Sequence, residues 1–220
     1  MILGIDTATA ATAVAVWSPE HAVERRDDPP PGARPAHASR LLALVEDVVD
    51  WDAIERIAVG VGPGGFTGLR IGIATARALA QARDLPLVGV SSLAALAEGV
   101  RPRAGSDPSG SDPFPVFAVI DARRGEVFAA SAGRFGAIAL APEALAARIV
   151  PGSLAVGDGA VRFRQELERA GAVVPADDSP SHRVSAVEIC RLGADGEPAG
   201  RDALLPDYRR EPDAKPRHQP

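Results

Sequence analysis

The sequence predicts an α/β protein built from two tandem lobes of like topology. Three observations lead there. Each half opens with an apolar strand ending in aspartate, a small turn and a second strand: Gly4-Ile5-Asp6-Thr7 in the first, Val119-Ile120-Asp121-Ala122 in the second. Each half then alternates strand and helix patterns, as parallel crossover units do. Between them, residues 101–115 hold Pro, Gly, Ser and Asp and almost no apolar side chain, the composition of a linker. The expected organisation is a first lobe over 1–100, a flexible linker over 101–115, a second, smaller lobe over 116–195 and an extended tail over 196–220.

The elements follow in order. Ile2–Asp6 and Ala13–Trp17 are apolar runs joined by a short polar turn, a β-hairpin, with Glu20–Arg26 as a third, edge strand. Pro29-Pro30-Pro31-Gly32 breaks the chain. Leu41, Leu44, Val45 and Val48 recur at helical spacing after Ser39, a candidate cap, and Leu42 and Val49 widen the stripe. Ile57–Val61 is a buried strand. Gly62-Pro63-Gly64-Gly65 turns the chain, and Thr67 caps a helix running to Arg83. Leu85–Val90 is a strand, and a third helix starts at Ser91 or Ser92 and ends near Gly99. The second half repeats the sequence of strands with Val116–Ile120, Val127–Ala132 and Phe135–Leu140. A short helix over Pro142–Ile149, a strand over Leu154–Val156, a helix over Ala160–Ala170 and a last helix over Val184–Leu192 follow. Two β-β-β-α-β-α-β-α units facing a cleft make the RNase H-like, actin-like architecture, which is the fold expected.

Composition bounds the function. The chain has 220 residues, 46% hydrophobic and 24% charged, enough for one large or two small domains. No run approaches 18 uninterrupted apolar residues, so no membrane span is expected. The start, Met1 to Ala10, lacks a basic region ahead of its apolar stretch, so no secretory signal is expected. Cys190 is the single cysteine, which excludes an intrachain disulfide; together these features point to the cytoplasm. A net charge of −5 makes the chain a poor candidate for holding nucleic acid by itself. Lys215 is the one lysine among 24 basic residues, a codon bias rather than a mechanism.

Two places draw chemical attention. Asp6 and Thr7, with Asp121 and Arg123, sit at the matching turns of the two halves. One reading is a weak or vestigial nucleotide cleft, in which strand-end carboxylates hold Mg²⁺ beside backbone N–H donors. The other is strand-end aspartates closing turns by side-chain hydrogen bonds. A phosphate-cradling turn wants glycine, and Thr7-Ala8-Thr9-Ala10-Ala11-Thr12 has none. The loop Gly62-Pro63-Gly64-Gly65-Phe66-Thr67-Gly68 likewise fits either an anion nest at a helix start or a tight strand-to-helix turn. It lacks the Gly-Lys-Ser/Thr ending of a Walker loop.

The second place is the helix after that loop. Gly68, Gly72, Ala76 and Ala80 lie four apart and form a ridge of small side chains. Two glycines in a helix cost about 1 kcal/mol each relative to alanine, which is tolerated where another backbone comes close. That neighbour is either the lobe's own sheet or another chain. The helix is apolar on more than one face, with Ile71 opposite Ile73, and the helix over 39–49 has the same excess. The expectation is a partner interface made of Leu41, Val45, Gly68, Ile71, Gly72, Ala76 and Ala80. The sequence carries no metal-ligand or nucleophile pattern: His21, His37, His182 and His218 form no His-x-x-His or His-x-x-x-His pair, no Gly-x-Ser-x-Gly elbow occurs, and Cys190 reads as a small buried apolar residue.

Four strings then resemble a known family. Gly4-Ile5-Asp6-Thr7-Ala8-Thr9, Gly62-Pro63-Gly64-Gly65-Phe66-Thr67-Gly68-Leu69-Arg70-Ile71-Gly72, Gly89-Val90-Ser91-Ser92-Leu93 and Ile120-Asp121-Ala122-Arg123-Arg124-Gly125-Glu126-Val127 occur in the order and at the spacing of the TsaB (YeaZ) family. The tail Pro206-Asp207-Tyr208-Arg209-Arg210 is similar to that family's terminal motif. The resemblance implies a non-catalytic, dimerising relative of TsaD within the actin-like superfamily. It implies TsaD, TsaE and a second copy of the chain as partners, and tRNA only through the complex, with no membrane. The reaction implied for the complex is threonylcarbamoyl transfer to N6 of adenosine 37 in tRNAs reading ANN codons, with ATP used by the assembly and no cofactor held by this chain alone. The catalytic relative's metal-binding histidines fall where this chain has Ser91-Ser92-Leu93-Ala94-Ala95-Leu96, with no ligand. The competing classes are a metallopeptidase-like enzyme and an ATP-dependent small-molecule enzyme of the same superfamily.

Overall fold

The computed structural model describes residues 1–30, 32–101, 114–200 and 203–209. In the first lobe Ile2–Asp6 (β1), Thr12–Trp17 (β2) and Ala22–Asp27 (β3) form an antiparallel meander. Arg56–Gly62 (β4) and Leu87–Ser91 (β5) add in parallel beside β1, giving the order β3-β2-β1-β4-β5. β1 and β4 are covered on both faces, which is why they read as near-continuous apolar runs rather than alternating ones. The helices His37–Val48 (α1) and Phe66–Arg83 (α2) pack on β2–β3 and on β1–β4, and touch each other. Ser92–Glu98 (α3) follows β5.

The second sheet has Val116–Arg123 (β6), Glu126–Ser131 (β7), Phe135–Leu140 (β8) and Leu154–Val156 (β9) in the order β8-β7-β6-β9. Its helices are Pro142–Ala146 (α4), Asp158–Arg162 (α5) and Arg164–Arg169 (α6). Where the first lobe has β5, the second has a single parallel bridge, Leu154 with Val173. The two-lobe α/β architecture is as the sequence predicts, but the second copy of the unit is cut short.

The final helix, Ala186–Ala194 (α7), crosses back and lies on β1, β2 and β4, while α3 packs against β6 and β7. The lobes thus exchange their last helices. One buried cluster runs between the sheets, taking Val88 and Val90 from β5, Leu93 and Leu96 from α3, Ile120 from β6 and Ile189 from α7. α7 sits so close to the first sheet that a Cβ at Gly4 would overlap the Ala186 carbonyl and the Cys190 sulfur. Gly193 faces Ala58 in the same way: a Cβ there would sit 2.5 Å from the Ala58 methyl carbon. Glu24 on β3 accepts from Ser185 Oγ (2.7 Å) and the Ala186 N–H (3.2 Å) at the start of α7. The Arg56 guanidinium donates to the carbonyls of Gly193, Ala194 and Gly196 at its end, a charge of suitable sign at each terminus.

Several boundaries differ from expectation. α1 starts at His37, and Ser39 Oγ donates to the Ala36 carbonyl instead of capping. Gly65, not Thr67, is the N-cap of α2. The helix expected over 160–170 is two, divided at Phe163 (φ −111°, ψ 32°). α7 begins two residues later than expected, because the Ser185 side chain caps it by accepting from the Val187 N–H. Residues 102–113 of the expected linker and 201–202 and 210–220 of the expected tail lie outside the described residues. Residues 203–209 form neither helix nor strand and lie against the first lobe, with Leu204 buried.

The contact of α7 with β1 gives a test. Gly4→Val forces the helix off the strand and is expected to lower stability by at least ~1–3 kcal/mol, the range for overpacked cores. Urea denaturation followed by circular dichroism measures it.

Candidate pairing face and interlobe cleft

Asp6 and Asp121 hold equivalent places, opposite Ala13 and Val127 at the matching hairpins. Each accepts the backbone N–H two residues on: Ala8 N–H to Asp6 Oδ1 at 3.0 Å, Arg123 N–H to Asp121 Oδ1 at 2.9 Å. These are turn-closing aspartates. Asp6 is 2% exposed, and its second oxygen accepts the Ser92 hydroxyl at 2.6 Å. The oxygen is sealed by Gly60, where any Cβ would collide with it. Burial pushes the Asp6 carboxyl above its ordinary range, against the Ser92 and Ala8 hydrogen bonds that favour the ion. Thr7 is buried, and its hydroxyl donates to the Gly68 carbonyl at 2.8 Å.

A cavity of about 1050 Å³ lies between the lobes, bounded by the β1–β2 turn, the starts of α1 and α2, the β6–β7 turn and residues 207–209. Of the four expected cleft residues, only Asp121 and Arg123 line it; Asp6 and Thr7 face inward, spent on the first lobe's own packing. Asp121 Oδ2 is shared between Arg162 (2.7 Å) and Arg123 (3.3 Å). Asp158, at the start of α5, accepts the Asp121 N–H at 2.9 Å, and burial pushes its carboxyl up. Arg123 and Arg124 both have φ above +50°; Arg124 and Gly125 are the two central residues of the hairpin turn, and Arg123 follows a register shift. Among the described residues, no three His, Cys, Asp or Glu side chains gather as metal ligands would.

The glycine-rich loop is a tight turn. A Cβ at Gly64 would overlap the Ala8 carbonyl, and the Gly65 N–H donates to that carbonyl at 2.7 Å. The glycines let β4's exit close over the β1–β2 turn, and the carbonyl takes the place an anion would have.

The small-residue ridge faces the same way, and this corrects the interface expected from sequence. A Cβ at Gly68 would overlap the Thr7 carbonyl and one at Gly72 the Thr7 hydroxyl, while Ala76 and Ala80 have no exposure. Leu41 and Val45 are buried in the same core cluster. Six of the seven expected interface residues therefore lie inside, and only Ile71 is partly exposed. The reason is steric: the close approach that needs small residues is between α2 and β1's turn. The outer sides of the two helices carry Leu42, 54% exposed, with Ala43 on α1, and Ala74 and Ala78 beside Ile71 on α2.

Sequence reasoning missed two groups. The His37 ring is buried, with Nδ1 2.9 Å from Thr12 Oγ1, a pair 25 residues apart without a spacing signal. Burial pushes its pKa below the ordinary 6.5. At the start of α2, Phe66 stacks on Tyr208 (centroids 5.1 Å apart), and Arg70 lies over Phe66 at 3.8 Å. Tyr208 was visible only as part of a terminal motif.

Residues 29–147 match the family model described as TsaD: tRNA N6-adenosine threonylcarbamoyltransferase. An Escherichia coli protein named tRNA threonylcarbamoyladenosine biosynthesis protein TsaB is 39% identical over 132 residues, which cover 58% of this chain and 52% of that protein. An uncharacterised Mycobacterium tuberculosis protein is 34% identical over 222 residues, covering 98% of this chain and 94% of its own. The solved structure of YeaZ from Pseudomonas aeruginosa superposes with a TM-score of 0.72 at 29% identity, over 94% of this chain and 98% of that one. The chain belongs to the TsaB/YeaZ family. The chain spans about half the length of the Escherichia coli relative in that alignment, and nearly all of the mycobacterial relative and of the Pseudomonas structure.

Two outcomes test this packing. Gly72→Arg is expected to unfold the chain or cost well over ~3 kcal/mol, because the side chain enters the Thr7 contact; circular dichroism and thermal melting read it. His37 favours the neutral ring in the folded state, so its contribution is present above pH 6.5 and is lost as pH falls below that value. The stability gap between the native chain and His37→Asn should therefore narrow from pH 7.5 to pH 5, measured by urea midpoints.

Proposed function

We propose that the chain is a scaffold subunit of tRNA threonylcarbamoyladenosine formation, pairing with TsaD and running no transfer chemistry of its own. Membership of the TsaB/YeaZ family and the names of its relatives support the pathway. Threonylcarbamoyl transfer to N6 of adenosine 37 in ANN-reading tRNAs is then carried by the assembly, with TsaE and ATP, and tRNA reaches this chain only through the complex. The observation that carries the pairing is the layer of α1 and α2 on the first sheet. Its inner side is filled, yet its outer side still presents Leu42, Ala43, Ile71, Ala74 and Ala78 to solvent. Short side chains on α2 allow a partner helix to lie close, and Leu42 supplies the apolar knob. A second copy of the chain competes for the same face, giving an isologous homodimer when TsaD is absent.

The reading is supported against the two enzymatic ones by the state of Asp6 and Thr7. Both are consumed by internal hydrogen bonds, which removes two of the four residues that the expected nucleotide cleft would use. Ser91 and Ser92 are consumed as well, one capping α3 and the other holding Asp6.

The test is co-purification with TsaD and analytical ultracentrifugation of Ala74→Arg and Leu42→Glu. Both sites point outward, so both variants are expected to fold with unchanged circular dichroism. Each should weaken pairing about 100-fold or more, since a charge buried without a partner costs ~3–5 kcal/mol and every ~1.4 kcal/mol is tenfold. Folded variants that still pair normally with TsaD would place the contact on another face.

A further inference from the structure

Two segments singled out in the sequence meet in space. Phe66 and Arg70 belong to the glycine-rich string, and Tyr208 to the terminal one. Phe66 is the first residue of α2 and remains 38% exposed; its ring serves no core cluster and instead stacks on Tyr208 at an interplanar angle of 28°. Arg70, one helical turn on, covers Phe66 and donates from Nε to the Tyr208 hydroxyl at 2.9 Å. Upstream, Leu204 fills the space above Gly89, where a Cβ would sit 2.5 Å from its methyl carbon, and its carbonyl accepts from Arg77 on α2. Between these anchors the Asp207 N–H donates to the Val61 carbonyl at 2.8 Å. The segment therefore runs along α2 from Arg77 back to Phe66, and residues 207–209 form one rim of the interlobe cavity.

We propose that residues 203–209 are a latch on α2: docked, they wall one side of the interlobe cavity and fix the first turns of the helix, and released, they open that wall and free Phe66 and Arg70. The attachment is made for release. It rests on one buried side chain, one stacked ring and a few hydrogen bonds, while Leu205 between them is 69% exposed and Tyr208 is 39% exposed. Ordering each of seven residues costs backbone freedom, so this segment opens far more readily than the sheets it covers. Phe66 and Arg70 lie on the helix whose next turns carry Ile71 and Ala74. Latch and pairing are therefore coupled through α2, and the coupling is reciprocal; this part rests on the pairing reading above.

Tyr208 is the chain's one tyrosine, so 3-fluorotyrosine incorporation reports the latch by a single ¹⁹F resonance. In the native chain that resonance is expected away from its denatured position, and Phe66→Leu and Leu204→Ala should each move it towards that position. Hydrogen exchange on Tyr208→Ala should show the amides of Asp207 and of Leu69 to Gly72 exchanging at least tenfold faster, with 116–120 unchanged as the control for folding. A native resonance already at the denatured position, or one unmoved by both substitutions, overturns the latch. For the coupling, saturating TsaD should slow exchange at Asp207, and a chain ending at Gly200 should bind TsaD at least fivefold more weakly. Equal binding by the shortened chain overturns the coupling. Failure of the full chain to bind TsaD, with the fluorine displacement intact, counts against the pairing reading and leaves the latch standing.

Discussion

The seat of α2 on the β1–β2 turn governs much of this molecule. Gly64 and Gly65 close on Ala8, Gly68 on the Thr7 carbonyl and Gly72 on the Thr7 hydroxyl. A helix can approach a strand end this closely only where side chains are absent, and the glycines accept the helix-propensity loss in return for that contact. Three consequences follow. Thr7 turns into the lobe and leaves the cleft. The inner face of α2 is fully used, so any partner must meet its outer face. The start of the helix, without a side-chain cap or an acidic residue in its first turn, is left to be organised by whatever packs on Phe66 and Arg70.

The exchange of final helices sets the mechanical character. α3 from the first lobe packs on the second sheet and α7 returns to the first, with a continuous apolar cluster between them. Two lobes that close over a substrate need an interface able to hinge or slide, and interfaces of that kind are smaller and more polar. Here, opening the cleft would pull Leu93, Leu96 and Ile189 out of shared packing.

Much of the architecture was legible because it is written in local pattern. The strand runs at Ile2–Asp6 and Val116–Ile120 and the repeated aspartates gave the two lobes, and helical spacing at Leu41, Leu44 and Val45 gave α1. The direction of the ridge was not legible. A helix apolar on more than one side does not say which side meets the sheet, and a small-residue ridge looks the same against a strand turn as against a partner. The shortened second sheet was hidden too, since Val173 forms one bridge and no strand pattern marks it. The Phe66–Arg70–Tyr208 cluster escaped because Arg70 on the helix and Tyr208 in the tail are 138 residues apart. The tail's polarity gave no sign that residues 203–209 dock on the first lobe, which depends on a hole at Gly89 that no periodicity reveals.

The two strand-end aspartates, read in the sequence either as walls of a nucleotide cleft or as turn closers, both close their turns, and their environments differ. Asp6 joins its own turn, through the Ala8 N–H, to the start of α3, through Ser92, a residue 86 positions away. It thereby fixes the point at which the chain leaves the first lobe for the second. A buried carboxylate is a poor source of net stability, because desolvation opposes the hydrogen bonds it gains, but an orphaned one is far worse. That asymmetry makes it a device for register: only the arrangement that delivers both donors is tolerated. Asp121 does the matching work in the second lobe at lower cost, since it sits at the cavity wall with two guanidiniums in reach. The symmetry between Asp6 and Asp121 is, in space, a repeated way of ending a strand, with the second copy left at the cavity wall.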